Sequence, residues 1–158
     1  NNIIMLLEFD PAVNITNGKA AARVLKKVNS PYVQAIWDPG NDIYNQPYTE
    51  IPYPDGYNYL KPFIKHVHLK DAIRKGKSAA GVAFGKGEVD YKGQLSALLK
   101  DNYDGYIVME THYKKGGEIS EDLLKNPKGS KFSQMGYEST EECLINLDNM
   151  IKEVIKLY

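Results

Sequence analysis

Four polar residues stand at the ends of four short apolar runs, and their types are those of a metal ligand set. Glu8 closes the run at 3–7, Asp38 follows the run at 32–37, His68 lies within 64–69 and Glu110 follows 106–109. Three carboxylates and one imidazole, brought to a common place, make an oxygen-rich site with a single nitrogen donor. Such sites suit Mn²⁺, Mg²⁺ or Co²⁺ better than sulfur-seeking ions. Taken singly, a strand-end Asp or Glu is more commonly a helix cap or a solvated charge. The recurrence in all four runs is what points to one shared site.

Something must deliver these side chains together. Continuous apolar runs of this length read as strands buried on both faces. Helical periodicity lies between them. At 19–28 the apolar Ala21, Val24, Leu25 and Val28 recur at helical spacing, and Asn29-Ser30-Pro31 ends the pattern. Asp90 reads as the cap of a helix running to about Asp101. A last helix, from about Ser139 to Leu157, carries Cys143, Leu147, Met150, Ile151 and Val154 on one stripe. The alternation predicts parallel βα units. Glu8 to Asp38 is 30 residues, Asp38 to His68 is 30 and His68 to Glu110 is 42. One unit takes ~30 residues, so each polar residue recurs at the same place in its unit. In a parallel barrel that place is the carboxyl rim, where the active sites of such barrels lie. Four units are half of an eight-unit barrel. A doubly wound four-stranded sheet is the competing fold, and it would gather the strand ends less tightly.

Composition narrows the function further. Twenty basic against 20 acidic residues leave no net charge and no basic block, which disfavours nucleic acid as the main partner. No apolar run approaches the ~20 residues of a membrane span, and the first residues lack the basic region of a signal peptide. A single cysteine, Cys143, excludes an internal disulfide framework and a Cys-rich zinc module. It fits a reducing, cytoplasmic setting.

The segments Leu7-Glu8, Trp37-Asp38-Pro39-Gly40-Asn41, His66-Val67-His68-Leu69-Lys70-Asp71, Phe84-Gly85-Lys86-Gly87-Glu88-Val89-Asp90 and Val108-Met109-Glu110-Thr111-His112 carry a resemblance. In order, and over essentially the whole chain, they resemble the sugar phosphate isomerase/epimerase family. These are xylose-isomerase-like TIM barrels related to endonuclease IV and the ketose 3-epimerases. The resemblance implies an α/β fold of four parallel βα units equivalent to strands five to eight of the barrel, so that residues 1–158 form its C-terminal half. It implies one divalent metal held by Glu8, Asp38, His68 and Glu110, with Mn²⁺ foremost and Mg²⁺, Co²⁺ or Zn²⁺ as alternatives. It also implies isomerisation or epimerisation of a sugar or sugar phosphate. The metal would stabilise an enediolate, with Glu8 and Glu110 as base and conjugate acid.

The pattern departs from its relatives in places. Asn41 stands where endonuclease IV and the epimerases carry a His, and Asn14 stands where the epimerases place a substrate-binding Glu. The Asp-x-His pair that endonuclease IV needs is missing around Ala80-Gly81-Val82-Ala83, so a trinuclear DNA-repair centre is disfavoured. Arg74 matches the epimerases' substrate-binding arginine, six residues past the His ligand.

Several residues carry two readings each. Lys70 and Asp71, first past the third run, suit either a sugar hydroxyl or phosphate contact or a structural ion pair. Asn41 and His112 are further candidates for the substrate. His66 reads as a core histidine deeper than His68, and Trp37 as core packing on the helix side. The glycines of Gly85-Lys86-Gly87 read as a tight turn with positive φ. A tyrosine-rich loop at 42–60 is expected to pack, and a polar loop at 111–137 includes Lys125-Asn126-Pro127-Lys128-Gly129. Half a barrel leaves two open sheet edges and an uncovered inner face. That predicts either a homodimer or a missing N-terminal half-barrel.

Overall fold

The computed structural model describes residues 3–47, 50–120, 122–123, 126 and 134–158. Tyr48 of the aromatic loop and Lys125, Pro127, Lys128 and Gly129 of the polar loop lie outside the described residues. Among the described residues, the four apolar runs form β1 (Met5–Glu8), β2 (Val33–Trp37), β3 (Ile64–Leu69) and, after an inserted hairpin, β6 (Tyr106–Met109). They pair in parallel in the order β1-β2-β3-β6. The hairpin, β4 (Asp71–Lys75) with β5 (Ser78–Val82), is antiparallel and separate from that sheet.

A helix follows each strand of the parallel sheet, in the case of β3 only after the hairpin. Asn17 caps α1 (Gly18–Val28) by accepting from the Ala20 N–H at 2.9 Å. Glu50, itself buried, accepts from the Gly18 and Lys19 N–H groups of the same helix end. Two short helices, α2 (Pro39–Tyr44) and α3 (Tyr57–Leu60), occupy the long connection to β3. Asp90 caps α4 (Tyr91–Lys100) by accepting from Gly93 N–H at 2.9 Å, as its position predicts. The last helix is α5 (Gly136–Ile155), with Cys143, Leu147 and Val154 buried along the expected stripe.

Strand parity sorts the side chains. Ala35 and Trp37 of β2 and Val67 and Leu69 of β3 are buried towards the helices, together with Leu25 of α1 and Leu95 and Leu98 of α4. Trp37 is fully buried, and its indole Nε1–H donates to Gln94 Oε1 at 2.8 Å. Successive residues of a strand point to opposite faces, so Ile36, His66, His68, Tyr106 and Val108 share the other face. Glu8 pairs with Ile36 and belongs to that face as well. His66 lies one pleat below His68, their rings 5.1 Å apart. Among the described tyrosines of the aromatic loop, Tyr57 is buried, meets Trp37 edge to face and donates its hydroxyl to Asp101.

Candidate metal centre

Each of the four ligand candidates sits at a carboxyl end of the parallel sheet. Glu8 is the last residue of β1, Asp38 follows β2 and begins α2, His68 is next to last in β3, and Glu110 follows β6. One potential ligand atom from each of the four falls within 4.8 Å of the others. A small divalent ion with ligand bonds of ~2.1 Å spaces its donors about 3–4 Å apart, so the set needs little rearrangement to hold one. His68 is central: its Nδ1 lies 3.1 Å from Glu8 Oε1 and 3.7 Å from Glu110 Oε2. The strand order places the two glutamates on its two sides. Asp38 is fully buried, whereas Glu8 and Glu110 are partly open to solvent. The donor chemistry, three oxygens and one nitrogen with no thiolate, fits a hard or borderline divalent cation.

Lys70 enters the same centre. Its ammonium lies 2.7 Å from Asp38 Oδ2 and 2.5 Å from Glu110 Oε2. Burial pushes the Asp38 carboxyl up, to about 7, against the downward pull of that ammonium. Burial alone would lower Lys70, but Asp38 and Glu110 outweigh it and hold the ammonium above its ordinary range. Burial also raises Glu110, and Lys70 more than offsets it, leaving that carboxyl below its usual value. His112 approaches Glu110 at 3.7 Å. Burial, then Lys70, lowers its imidazole to about 4, so it is neutral at physiological pH.

A cleft of about 450 Å³ lies beside the centre, reaching it through His112, which approaches Glu110; none of the four ligand candidates lines it. Asp10, Asn41, Tyr44, Gln46, Lys77 and His112 contribute side chains to it. Among the substrate candidates, Asn41 and His112 therefore line the cleft, and Lys70 lies in the centre itself. Asn41 also donates its amide to Phe9 O at 2.8 Å, tying α2 to the loop after β1. Asp71 turns to the backbone: Oδ2 accepts from Gly85 and Gly87 N–H at 3.0 and 2.8 Å, and Oδ1 from Ala72 N–H. Gly85 has the expected positive φ of +78°, while Gly87 is required because a side chain there would overlap Asp71. Arg74, near the turn of the hairpin, pairs with Glu88 of the loop that follows it. Sequence reasoning missed Tyr44, Gln46 and Lys77 as cleft residues, and it missed the burial of Asp42. Lys70, a candidate from the sequence, lies against Gly40, where any side chain would overlap its carbonyl and stem.

The geometry agrees with what the chain resembles. Residues 1–132 match the family model for xylose isomerase-like TIM barrels. No curated protein sequence matches the chain. Among solved structures, a xylose isomerase domain protein from Planctomyces limnophilus is 21% identical with a TM-score of 0.67, over 97% of this chain and 48% of that one. A xylose isomerase-like TIM barrel protein from Mycobacterium smegmatis, in complex with magnesium, is 22% identical with a TM-score of 0.62, over 72% of this chain and 39% of that one. A D-psicose 3-epimerase, its structure determined in the presence of D-fructose, is 20% identical with a TM-score of 0.61, over 92% and 47%. The chain thus spans about half the length of the barrels it matches, or less. With four parallel strands and their helices in the same arrangement, it belongs to the xylose isomerase-like TIM-barrel family.

Proposed function

We propose that this chain is the C-terminal half of a metal-dependent sugar isomerase or epimerase, and that it contributes the whole metal ligand set and both proton-transfer groups. The observation that carries the reading is the convergence of Glu8, Asp38, His68 and Glu110 on one point from four separate strand ends. Asp38 and His68 hold the ion. Mn²⁺ and Mg²⁺ suit the oxygen-rich donors best, with Co²⁺ or Zn²⁺ as alternatives. A divalent ion there supplies Lewis-acid stabilisation of negative charge on neighbouring sugar oxygens. Glu8 and Glu110 flank His68 from opposite sides. One removes a proton from the sugar carbon and the other returns one, the roles exchanging with the direction of reaction. His112 and Asn41, at the cleft, contact the hydroxyls of the substrate. Arg74 and Asp71 have no part in this reading, because Glu88 and Gly87 of the segment after the hairpin engage them. The lone buried Cys143 supports a reducing, cytoplasmic setting, and no described helix is long and apolar enough to cross a membrane.

A second reading rests on the other half of the barrel. Met5 on β1 is 64% exposed and Tyr106 on β6 is 80% exposed, each at an open edge of the sheet. We infer that these edges meet an N-terminal half-barrel or a second copy, and that the chain without such a complement binds metal but does not turn over. Exchange of solvent deuterium into a ketose, in the presence of Mn²⁺, tests the catalytic reading. Exchange that falls 10²–10⁴-fold in Glu110→Gln is expected for a proton-transfer group. Absence of exchange across a panel of ketoses, by the chain with and without its complementary half, overturns it.

A further inference from the structure

The centre holds one more charge than its four candidate ligands supply. Lys70 follows β3 directly, its side chain is 2% exposed, and its ammonium contacts Asp38 and Glu110 together. The surroundings are shaped around it. Gly40 leaves room for the lysine stem, since a side chain at 40 would overlap the Lys70 Cγ and carbonyl oxygen. The Tyr91 hydroxyl donates to the Lys70 carbonyl and accepts from its N–H at 3.2 Å. Tyr91 is itself 1% exposed and packs on Phe84, ring centroids 4.5 Å apart. A lysine that only decorated the mouth of the cleft would not be clamped at its backbone, stem and tip.

We propose, resting on the metal reading above, that Lys70 is the resident counter-cation of the centre. It neutralises Asp38 and Glu110 while no metal is bound, and it competes with an arriving cation for those carboxylates. Charge counting supports this role. As metal ligands, Glu8, Asp38 and Glu110 would be ionised and carry three negative charges, and a ligating imidazole is neutral. Lys70 leaves two negative charges, which a divalent ion cancels. Without Lys70, three carboxylates whose potential ligand atoms lie within 4.8 Å face one another uncompensated, because like charges at that range repel strongly in a partly buried site. The lysine therefore keeps the empty centre assembled at the expense of metal affinity.

Calorimetric titration of Mg²⁺ and Mn²⁺ into the full chain, with thermal unfolding of the metal-free protein, tests this in wild type, Lys70→Met and Lys70→Arg. Lys70→Met should bind metal at least tenfold more tightly and melt several degrees lower when metal-free. Lys70→Arg, which retains the charge, should bind no more tightly than wild type. Metal affinity that fails to rise in Lys70→Met, or a metal-free melting temperature that fails to fall, overturns the proposal. Should the variants not fold, the Lys70 Nζ resonance of ¹⁵N-lysine-labelled wild type decides. It should shift saturably at the stoichiometry of bound metal, and a resonance indifferent to bound metal overturns the proposal. If wild type binds no metal, the metal reading falls and the competition with it, while the metal-free melting temperature of Lys70→Met still decides whether Lys70 neutralises the carboxylates.

Discussion

His68 Nδ1 and Glu8 Oε1 lie 3.1 Å apart although 60 residues separate them in the chain. Only the parallel registration of β1, β2 and β3 brings these two carboxyl-end residues together. A break in that registration would separate the imidazole from the carboxylate without touching either residue. The site is thus a product of the sheet, and the sheet's stability sets its geometry.

Asp38 and Lys70 form an ion pair that is almost wholly out of solvent. Breaking a fully buried pair costs about 3–5 kcal/mol when the other charge is stranded, but Glu110 still faces the Lys70 ammonium once Asp38 is gone. Asp38→Ala is therefore expected to lose less, about 1–3 kcal/mol, measured by urea denaturation of the metal-free protein. It also removes the acceptor for the Gly40 N–H. A loss below about 1 kcal/mol would mean that the pair behaves as an exposed one.

Asp42, on α2, is 1% exposed, and neither carboxylate oxygen has a hydrogen-bond partner among the described residues. Burial, with Glu50 and Asp38 adding to it, raises its carboxyl from 3.8 to about 9. Between those two values the folded chain holds a proton that the unfolded chain has lost, so stability falls as pH rises through the window. Asp42→Asn should abolish that slope. The expected gain is on the order of a few kcal/mol at pH 8 and negligible at pH 4. Denaturant titrations at the two pH values read the difference, and a pH-independent gain contradicts it.

Trp37 and Gln94 are both completely buried and joined by the indole Nε1–H bond. Trp37→Phe keeps an aromatic ring but strands the Gln94 carbonyl in a dry environment. The cost is about 1–3 kcal/mol, read from the shift in urea midpoint. The double variant Trp37→Phe, Gln94→Leu should recover part of it, because an apolar pair leaves no orphaned polar atom.

Much of the chain was legible before its structure. The ranges 64–69 and 106–109 coincide with β3 and β6, since each is a short apolar run ended by a charged residue. The Asp90 cap was readable because Asp before a helical pattern has few other uses. The hairpin β4–β5 was not. Its sequence, Asp71 to Val82, is rich in alanine and charge and holds few β-branched residues, so strand propensity gave no sign of it. Asp71 shows the same limit at the site. Its position beside Lys70 fitted either a substrate contact or a structural bond, and the sequence carried no sign that its carboxylate accepts from the Gly85 and Gly87 N–H groups. Lys70 itself was ambiguous because ligand-facing and carboxylate-facing lysines share one local sequence.

The open edges carry their own expectation. Met5 on β1, and Tyr106 and Val108 on β6, expose apolar side chains beside unpaired strand edges. The chain alone should self-associate with rising concentration in sedimentation experiments. Tyr106→Lys with Met5→Lys should shift it towards monomer, whereas a purely monomeric wild type at high concentration contradicts the reading.

Everything functional depends on four side chains gripping one ion. Crystals of the full chain grown with Mn²⁺, examined by anomalous diffraction, address that directly. A single strong peak within ~2.4 Å of donors from Glu8, Asp38, His68 and Glu110 is the result expected. A peak bound by fewer than three of these residues, or found elsewhere on the chain, would contradict it.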